Sequence, residues 1–178
     1  LILHEILEKS YQAVENPGNP DEVKAAMRDK AAQEVFSAAP ERYGFRPTVL
    51  WAIQKEEMMA NLDRTIDAFD ELAPGWTPTA HELPFGVNSQ PALVLAFEEG
   101  TIKLRGYVDR VDINALGQLR VVDYKTGSSH LGKQDLIKGR RLQLPLYAMA
   151  VQEVSQLGEV IDGFYWSINS GQPGGLVL

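Results

Sequence analysis

Apolar residues recur at helical spacing through positions 1–75 and alternate with polar ones over much of the remainder. Leu3, Ile6, Leu7, Tyr11 and Val14 share one side of a first helix. Asn19, Pro20 and Glu22 then supply an N-cap, a first-turn proline and a capping-box acid, so a second helix is expected to run to about Ala39 and to end at Pro40. A third begins near Thr48, follows Trp51, Met58, Leu62, Ile66 and Phe69, and stops before Pro74-Gly75. These stripes read as core, with Met58-Met59 filling gaps in packing. Strands are expected at Thr79–Phe85, bracketed by Pro78 and Gly86, at Ala92–Glu98, at Thr101–Ile113, at Gln118–Lys125 and at Phe164–Ile168. Leu142–Val154 reads as a helix that starts close to Leu142–Leu144, because Pro145 is tolerated only in a first turn.

The alternation places the chemistry. Asn114-Ala115-Leu116-Gly117 carries the Asn and Gly of a tight connection, so the strands on either side form an antiparallel hairpin. Leu119, Val121, Asp123 and Lys125 share one face of the second strand, and Val122 and Tyr124 share the other. The hairpin sets Asp109 opposite the neighbourhood of Asp123, roughly 5 Å away if the two are directly cross-strand. Carboxylates that close repel each other unless a cation sits between them, and Mg²⁺ suits two carboxylates, a backbone carbonyl and water. Asp112, on alternation, faces away from Asp109 and reads as structural. Taken alone, Asp-x-Lys on a strand is more often a solvated ion pair than a site. A histidine bordering an apolar stripe, as His4 does, is more often a core residue. Gln143 and Tyr147, four apart, share a helix face. His81 and His130 have no partner pattern and read as surface residues.

Taken together, Gly106-x-x-Asp109, Asp123-Tyr124-Lys125-Thr126-Gly127 and Gln143-x-x-x-Tyr147, preceded by a helical His4, resemble the RecB-like branch of the PD-(D/E)XK nuclease superfamily. The order of Leu3-His4-Glu5, Tyr43-Gly44-Phe45-Arg46, Trp76-x-Pro78-x-x-x-Glu82-x-x-Phe85-Gly86 and Leu142–Tyr147 extends the likeness over nearly the whole chain. It is most similar to the C-terminal nuclease domain of AddB-type subunits of bacterial helicase-nucleases. The resemblance implies an α/β, restriction-endonuclease-like fold: a mixed, largely antiparallel sheet flanked by helices, with a helical half before it. It implies one nuclease domain over 1–178, helical over 1–75 and sheet-based over 76–178, that hydrolyses DNA as an exonuclease. It also implies roles: Asp109, Asp123, His4 and the main-chain carbonyl of Tyr124 as ligands to Mg²⁺, with Mn²⁺ as a substitute; Lys125 as the catalytic base or orienting group; Glu82 as an outer-shell or second-metal ligand. Gln143 and Tyr147 would hold DNA or brace Lys125.

Composition adjusts this picture in places. At 178 residues, 44% hydrophobic and 23% charged, the chain is ordinary for one soluble domain, and no apolar run approaches a membrane span. A cytoplasmic setting is expected. With no cysteine, these residues cannot hold the iron–sulfur cluster that members of the resembled family often carry. The net charge of −7 argues for weak intrinsic DNA affinity. It is uneven, however. Residues 1–100 hold 8 basic and 17 acidic side chains, and residues 101–178 hold 9 and 7. Arg120, Lys125, Lys133, Lys138, Arg140 and Arg141 form a basic cluster around and beyond the candidate site, but the overall acidity makes delivery of DNA by a helicase or another partner the expected arrangement. The ends, Leu1-Ile2-Leu3 and Gly175–Leu178, read as cut through elements of a larger polypeptide. Two other readings stay open: a catalytically inactive module binding DNA ends or a partner, and a stand-alone RecB-like nuclease of the CRISPR-associated type.

Overall fold

A computed structural model describes residues 1–72, 74–127 and 142–174. The chain divides into two compact units, one of Leu1–Pro74 with Ile168–Gln172, the other of Gly75–Ser167 with the residues from Pro173 onward. Among the described residues, no helix is long and apolar enough to cross a membrane.

The first unit is helical. α1 (Ile2–Gln12) buries Leu3, Ile6, Leu7 and Tyr11, the predicted stripe. α2 (Pro20–Ala26) is capped as its sequence dictates: the Asn19 carboxamide oxygen accepts from the Asp21 and Glu22 amides, and its nitrogen donates to Glu22 at 2.9 Å. A π-helical turn, Met27–Ala31, carries the chain into α3 (Ala32–Tyr43). Pro40 lies inside α3 rather than ending it. It forfeits a single amide bond near the helix end, and the terminator is Gly44, whose φ of 67° closes the last turn with its amide on the Pro40 carbonyl. α4 (Val49–Leu72) buries Trp51, Leu62, Ile66 and Phe69, while Met58 and Met59 are half-buried. Lys24–Asp67 (2.6 Å) and Arg28–Asp63 (2.7 Å) tie α4 to the second helix and the turn that follows it.

The second unit is built on a mixed five-stranded sheet of order β1-β4-β5-β6-β7, from β1 (Trp76–Phe85), β4 (Gly106–Asn114), β5 (Leu119–Lys125), β6 (Val160–Ser167) and β7 (Gln172–Gly174). β1–β4 and β4–β5 are antiparallel, and β5–β6 is parallel. β2 (Leu93–Phe97) and β3 (Gly100–Leu104) form a separate two-stranded sheet. α5 (Gln143–Met149), prolonged by a π-helical stretch to Ser155, lays Leu144, Ala150 and Val151 on Val111, Leu119 and Val121. Burying each of the larger side chains contributes about 1.5–3 kcal/mol.

Two strand expectations need correction. β1 begins at Trp76 and includes Pro78, which sits at a register irregularity between Pro78 and Ala80 on an edge strand, where a missing amide is tolerated. The run Thr101–Ile113 is two strands, broken at Arg105. There the chain passes Gly86 so closely that a Cβ on Gly86 would stand 2.6 Å from the Arg105 Cβ, and Gly86 itself takes a φ of 68°. The turn after β4 is as read from sequence: Ile113 pairs with Leu119, and the Gly117 amide donates to the Asn114 carbonyl at 3.0 Å.

Candidate active site

β1 and β4 change phase together where the first two carboxylates lie. Ala80, Leu83 and Phe85 of β1, and Val108, Val111 and Ile113 of β4, all join one apolar cluster. Strict alternation would send residues three apart to opposite faces. The irregular residue is Glu82, with a φ of 45°, a left-handed conformation that costs a non-glycine residue about 1–3 kcal/mol. His81 and Leu83 pair with Arg110 and Val108, which puts Glu82 across from Asp109. A carboxylate oxygen of each lies within 4.8 Å of the other.

Asp109 reaches the next strand. The β4–β5 register runs from Ile113–Leu119 to Arg110–Val122, and just beyond it the Tyr124 amide donates to Asp109 Oδ2 at 2.8 Å. An N–H and C=O of one strand residue point to the same side, so the Tyr124 carbonyl also faces the β4 edge. Asp123 is fully buried, with Oδ2 2.5 Å from Lys125 Nζ. Its Oδ1 has no hydrogen-bond donor among the described residues. Lys125 donates to Gln143 Oε1 at 2.8 Å, and Gln143 Nε2 donates to the Tyr147 hydroxyl at 2.7 Å. The sheet unit thus gathers Glu82, Asp109, Asp123, Lys125, Gln143 and Tyr147. His4, the remaining side chain singled out from the sequence, is half-buried in the first turn of α1 in the helical unit.

Burial sets the electrostatics. It pushes Asp109 up to about 7, helped by the charges of Asp123 and Glu82 against the opposing pull of the Tyr124 amide and Lys125. Burial also raises Asp123, against the pull of Lys125. Tyr147 is raised to about 12 by burial and by the charges of Asp109, Asp123 and Glu82. An acid whose folded pKa is raised holds its proton more tightly when folded, so its contribution is complete below about pH 4 and is lost as pH rises through about 7. Without divalent metal, the stability difference between wild type and Asp109→Asn should therefore move against wild type between about pH 4 and 7. The bound is about 4 kcal/mol, and urea unfolding in EDTA measures it. A difference flat over that range would contradict the buried acid pair.

A cation fits this donor set. Two adjacent buried carboxylates, one oxygen of which lacks a donor among the described residues, form the oxygen-rich, potentially anionic environment that a hard divalent ion satisfies. Asp109 and Asp123 could hold it, and the Tyr124 carbonyl could add a third oxygen.

Other sequence readings change. His81 is not a surface residue: it is partly buried, and burial and the Arg110 cation push it down to about 3, which leaves it neutral. Arg120 is withdrawn from the basic cluster, being buried against Asp112 at 2.7 Å. His130 and Lys133, Lys138, Arg140 and Arg141 lie outside the described residues. Asp112 is structural as read, fully buried between Arg110 and Arg120. Sequence reading missed Tyr165. Its ring lies 5.2 Å from Lys125 Nζ, and its hydroxyl accepts the Leu144 amide at 3.3 Å. The available signal was an aromatic residue in an apolar strand, which does not reveal that parallel pairing sets it beside Asp123.

Comparison with known proteins identifies the family. The family model of the PD-(D/E)XK nuclease superfamily matches residues 1–176. A subunit of an ATP-dependent helicase/deoxyribonuclease from Leuconostoc citreum is 29% identical over 175 residues, 94% of this chain and 14% of that protein. Proteins of the same name from Thermoanaerobacter sp. (37% over 81 residues) and Symbiobacterium thermophilum (41% over 83) each match 43% of this chain and 7% of their own length. The chain thus spans no more than about a seventh of these relatives. With the family model covering nearly the whole chain, the chain belongs to the PD-(D/E)XK nuclease superfamily.

Proposed function

We propose that this chain hydrolyses DNA phosphodiester bonds with a divalent metal, Mg²⁺ or Mn²⁺, as the exonuclease module of a cytoplasmic helicase-nuclease acting in double-strand break repair. The observation that carries the reading is Asp123: a buried carboxylate beside Asp109, with one oxygen lacking a donor among the described residues and the other against Lys125. A buried acid pair is a poor element of a core. It is a good cation site.

In this reading Asp109, Asp123 and the Tyr124 carbonyl hold the metal. His4 completes the ligand set and Glu82 acts from an outer position, both by family likeness. When bound, the ion supplies charge neutralisation and lowers the pKa of water. Lys125 orients the attacking water and offsets the charge that builds on phosphate as the bond from water oxygen to phosphorus forms and the bond to the leaving oxygen breaks. Gln143 and Tyr147 keep the ammonium in place, the first by its 2.8 Å bond and the second through Gln143. The relatives are named as parts of a helicase/deoxyribonuclease, which supports DNA as substrate and a helicase partner. The net charge of −7 supports delivery of the strand by that partner rather than tight binding by this module.

End-labelled single- and double-stranded DNA, incubated with the purified chain in Mg²⁺, Mn²⁺ or EDTA, tests the proposal. Cleavage is expected with either metal and none in EDTA, with mononucleotide or short products marking exonuclease action. Cleavage undiminished in EDTA would sink the metal-dependent reading. Absence of both cleavage and metal binding would favour a non-catalytic module.

A further inference from the structure

Behind the carboxylates, on the opposite face of the same two strands, lies a charge network that the proposed chemistry does not use. Arg110 Nε stands 2.5 Å from Asp112 Oδ1, and Arg120 Nη2 stands 2.7 Å from Asp112 Oδ2. Arg120 Nε adds a 2.8 Å bond to the same oxygen. Its guanidinium is flanked by Trp76 at 4.7 Å and Phe164 at 5.4 Å. All three charged residues are at most 4% exposed. Burial pushes the Asp112 carboxyl up, but the two guanidiniums hold it below its ordinary value, so it is ionised. His81 across from Arg110 is neutral, and Asp162 acts on Arg120 as a further negative charge.

Stability does not demand such a network, since replacing a buried ion cluster by apolar side chains of similar volume is often neutral or stabilising. What it does is geometric. Asp112 pairs with Arg120 and Arg110 with Val122, so the ions cross-link β4 and β5 immediately before the strands part. Arg110 Nη1 then reaches the Tyr124 hydroxyl at 3.3 Å. Tyr124 is thereby held at its ring tip by the residue that follows Asp109, and at its amide by Asp109 itself. Its backbone is the link between Asp123 and Lys125.

We infer that Arg110, Asp112 and Arg120 form a buried positioning device that fixes Tyr124, and through its backbone the spacing of Asp109, Asp123 and Lys125. The inference rests on the nuclease reading for its kinetic consequence but not for its effect on metal affinity. An apolar core would hold the strands together equally well. It would not hold the tyrosine at both ends.

Tyr124→Phe, which removes the hydroxyl and keeps the ring, is the discriminating variant, with Arg110→Met and Arg110→Lys beside it. For Tyr124→Phe, kcat should fall about tenfold with KM for DNA unchanged, and Mn²⁺ affinity by calorimetry should weaken by about the same factor. Its melting temperature should stay within about 2 °C of wild type. Arg110→Met should lose more, and Arg110→Lys should recover part of that loss. Wild-type kcat and Mn²⁺ affinity in Tyr124→Phe would overturn the inference, as would losses in the series that merely track melting temperature. If the wild type binds Mn²⁺ but cleaves no DNA, the nuclease reading fails, and the Mn²⁺ titration of the variants alone decides the positioning role. If the wild type binds no Mn²⁺, both fall.

Discussion

Asp123→Asn should reduce DNA cleavage by about a thousandfold or more, on the order of 4 kcal/mol of barrier, while raising the melting temperature of the metal-free protein. The two effects share a cause. Asp123 is fully buried and raised by desolvation, and its charge in turn raises Asp109. Without a cation, these charges oppose folding. Asparagine keeps the shape, removes one of them, and leaves an oxygen facing Lys125. Lys125 in turn retains Gln143 and is about a third exposed, so its ammonium is not stranded. A gain of about 1 kcal/mol, or about 2–4 °C in a chain of this size, is expected in EDTA. The gain should vanish or reverse in saturating Mg²⁺, which stabilises only the form that binds it. Thermal melts with and without metal, run beside a cleavage assay, measure both. A variant that cleaves at the wild-type rate would remove Asp123 from the site. A variant destabilised in EDTA would show that the ion pair with Lys125 outweighs the repulsion.

What is legible in the sequence is what neighbouring residues decide. Asn19 caps its helix, and Asn114–Gly117 turns its hairpin, because each needs only a few adjacent residues. The face shared by Asp123 and Lys125 follows from strand period alone, and the two side chains meet there as that period requires. Where pattern misleads, a distant contact or a local backbone exception decides the matter. Pro40 reads as a stop, yet the helix ends at Gly44, where a left-handed residue closes it. The local mark of a break at Arg105 is the adjacent Gly106; the close approach to Gly86 there is a contact between residues far apart in sequence. Alternation gives Glu82 and Asp109 their strands but not the shared change of phase that brings their carboxylates together, which depends on a left-handed glutamate that no period encodes. His81 and Arg120 look like surface groups because the side chains beside them, Arg110 for the one and Trp76 and Phe164 for the other, come from strands far apart in sequence. The roles proposed for His4 and Tyr124 rest on the family likeness, since residue patterns alone do not single them out.

Lys125→Ala should separate catalysis from metal binding. In the wild type the ammonium meets Asp123 at 2.5 Å and Gln143 at 2.8 Å and lies over the Tyr165 ring at 5.2 Å. Three neighbours hold a flexible side chain in one orientation, which in the proposed reaction would let its charge face the phosphate without reorganisation. Removing it should lower kcat at saturating Mg²⁺ by about a thousandfold, at the upper end of what one preorganised donor contributes. Mn²⁺ affinity should hold or tighten, because the variant deletes a positive charge that competes with the ion for Asp123. Metal-free stability should move the opposite way from Asp123→Asn, since a buried carboxylate then loses its counterion. Gln143→Ala, which leaves the ammonium in place but unbraced, should cost only about tenfold, as outer-shell partners do. Calorimetry with Mn²⁺ and single-turnover cleavage on the same preparations distinguish these outcomes. Near-normal cleavage by Lys125→Ala would show that the lysine serves the fold as the counterion of Asp123 and takes no part in the chemistry. Lost cleavage with metal binding lost in equal measure would recast it as a residue that shapes the metal site.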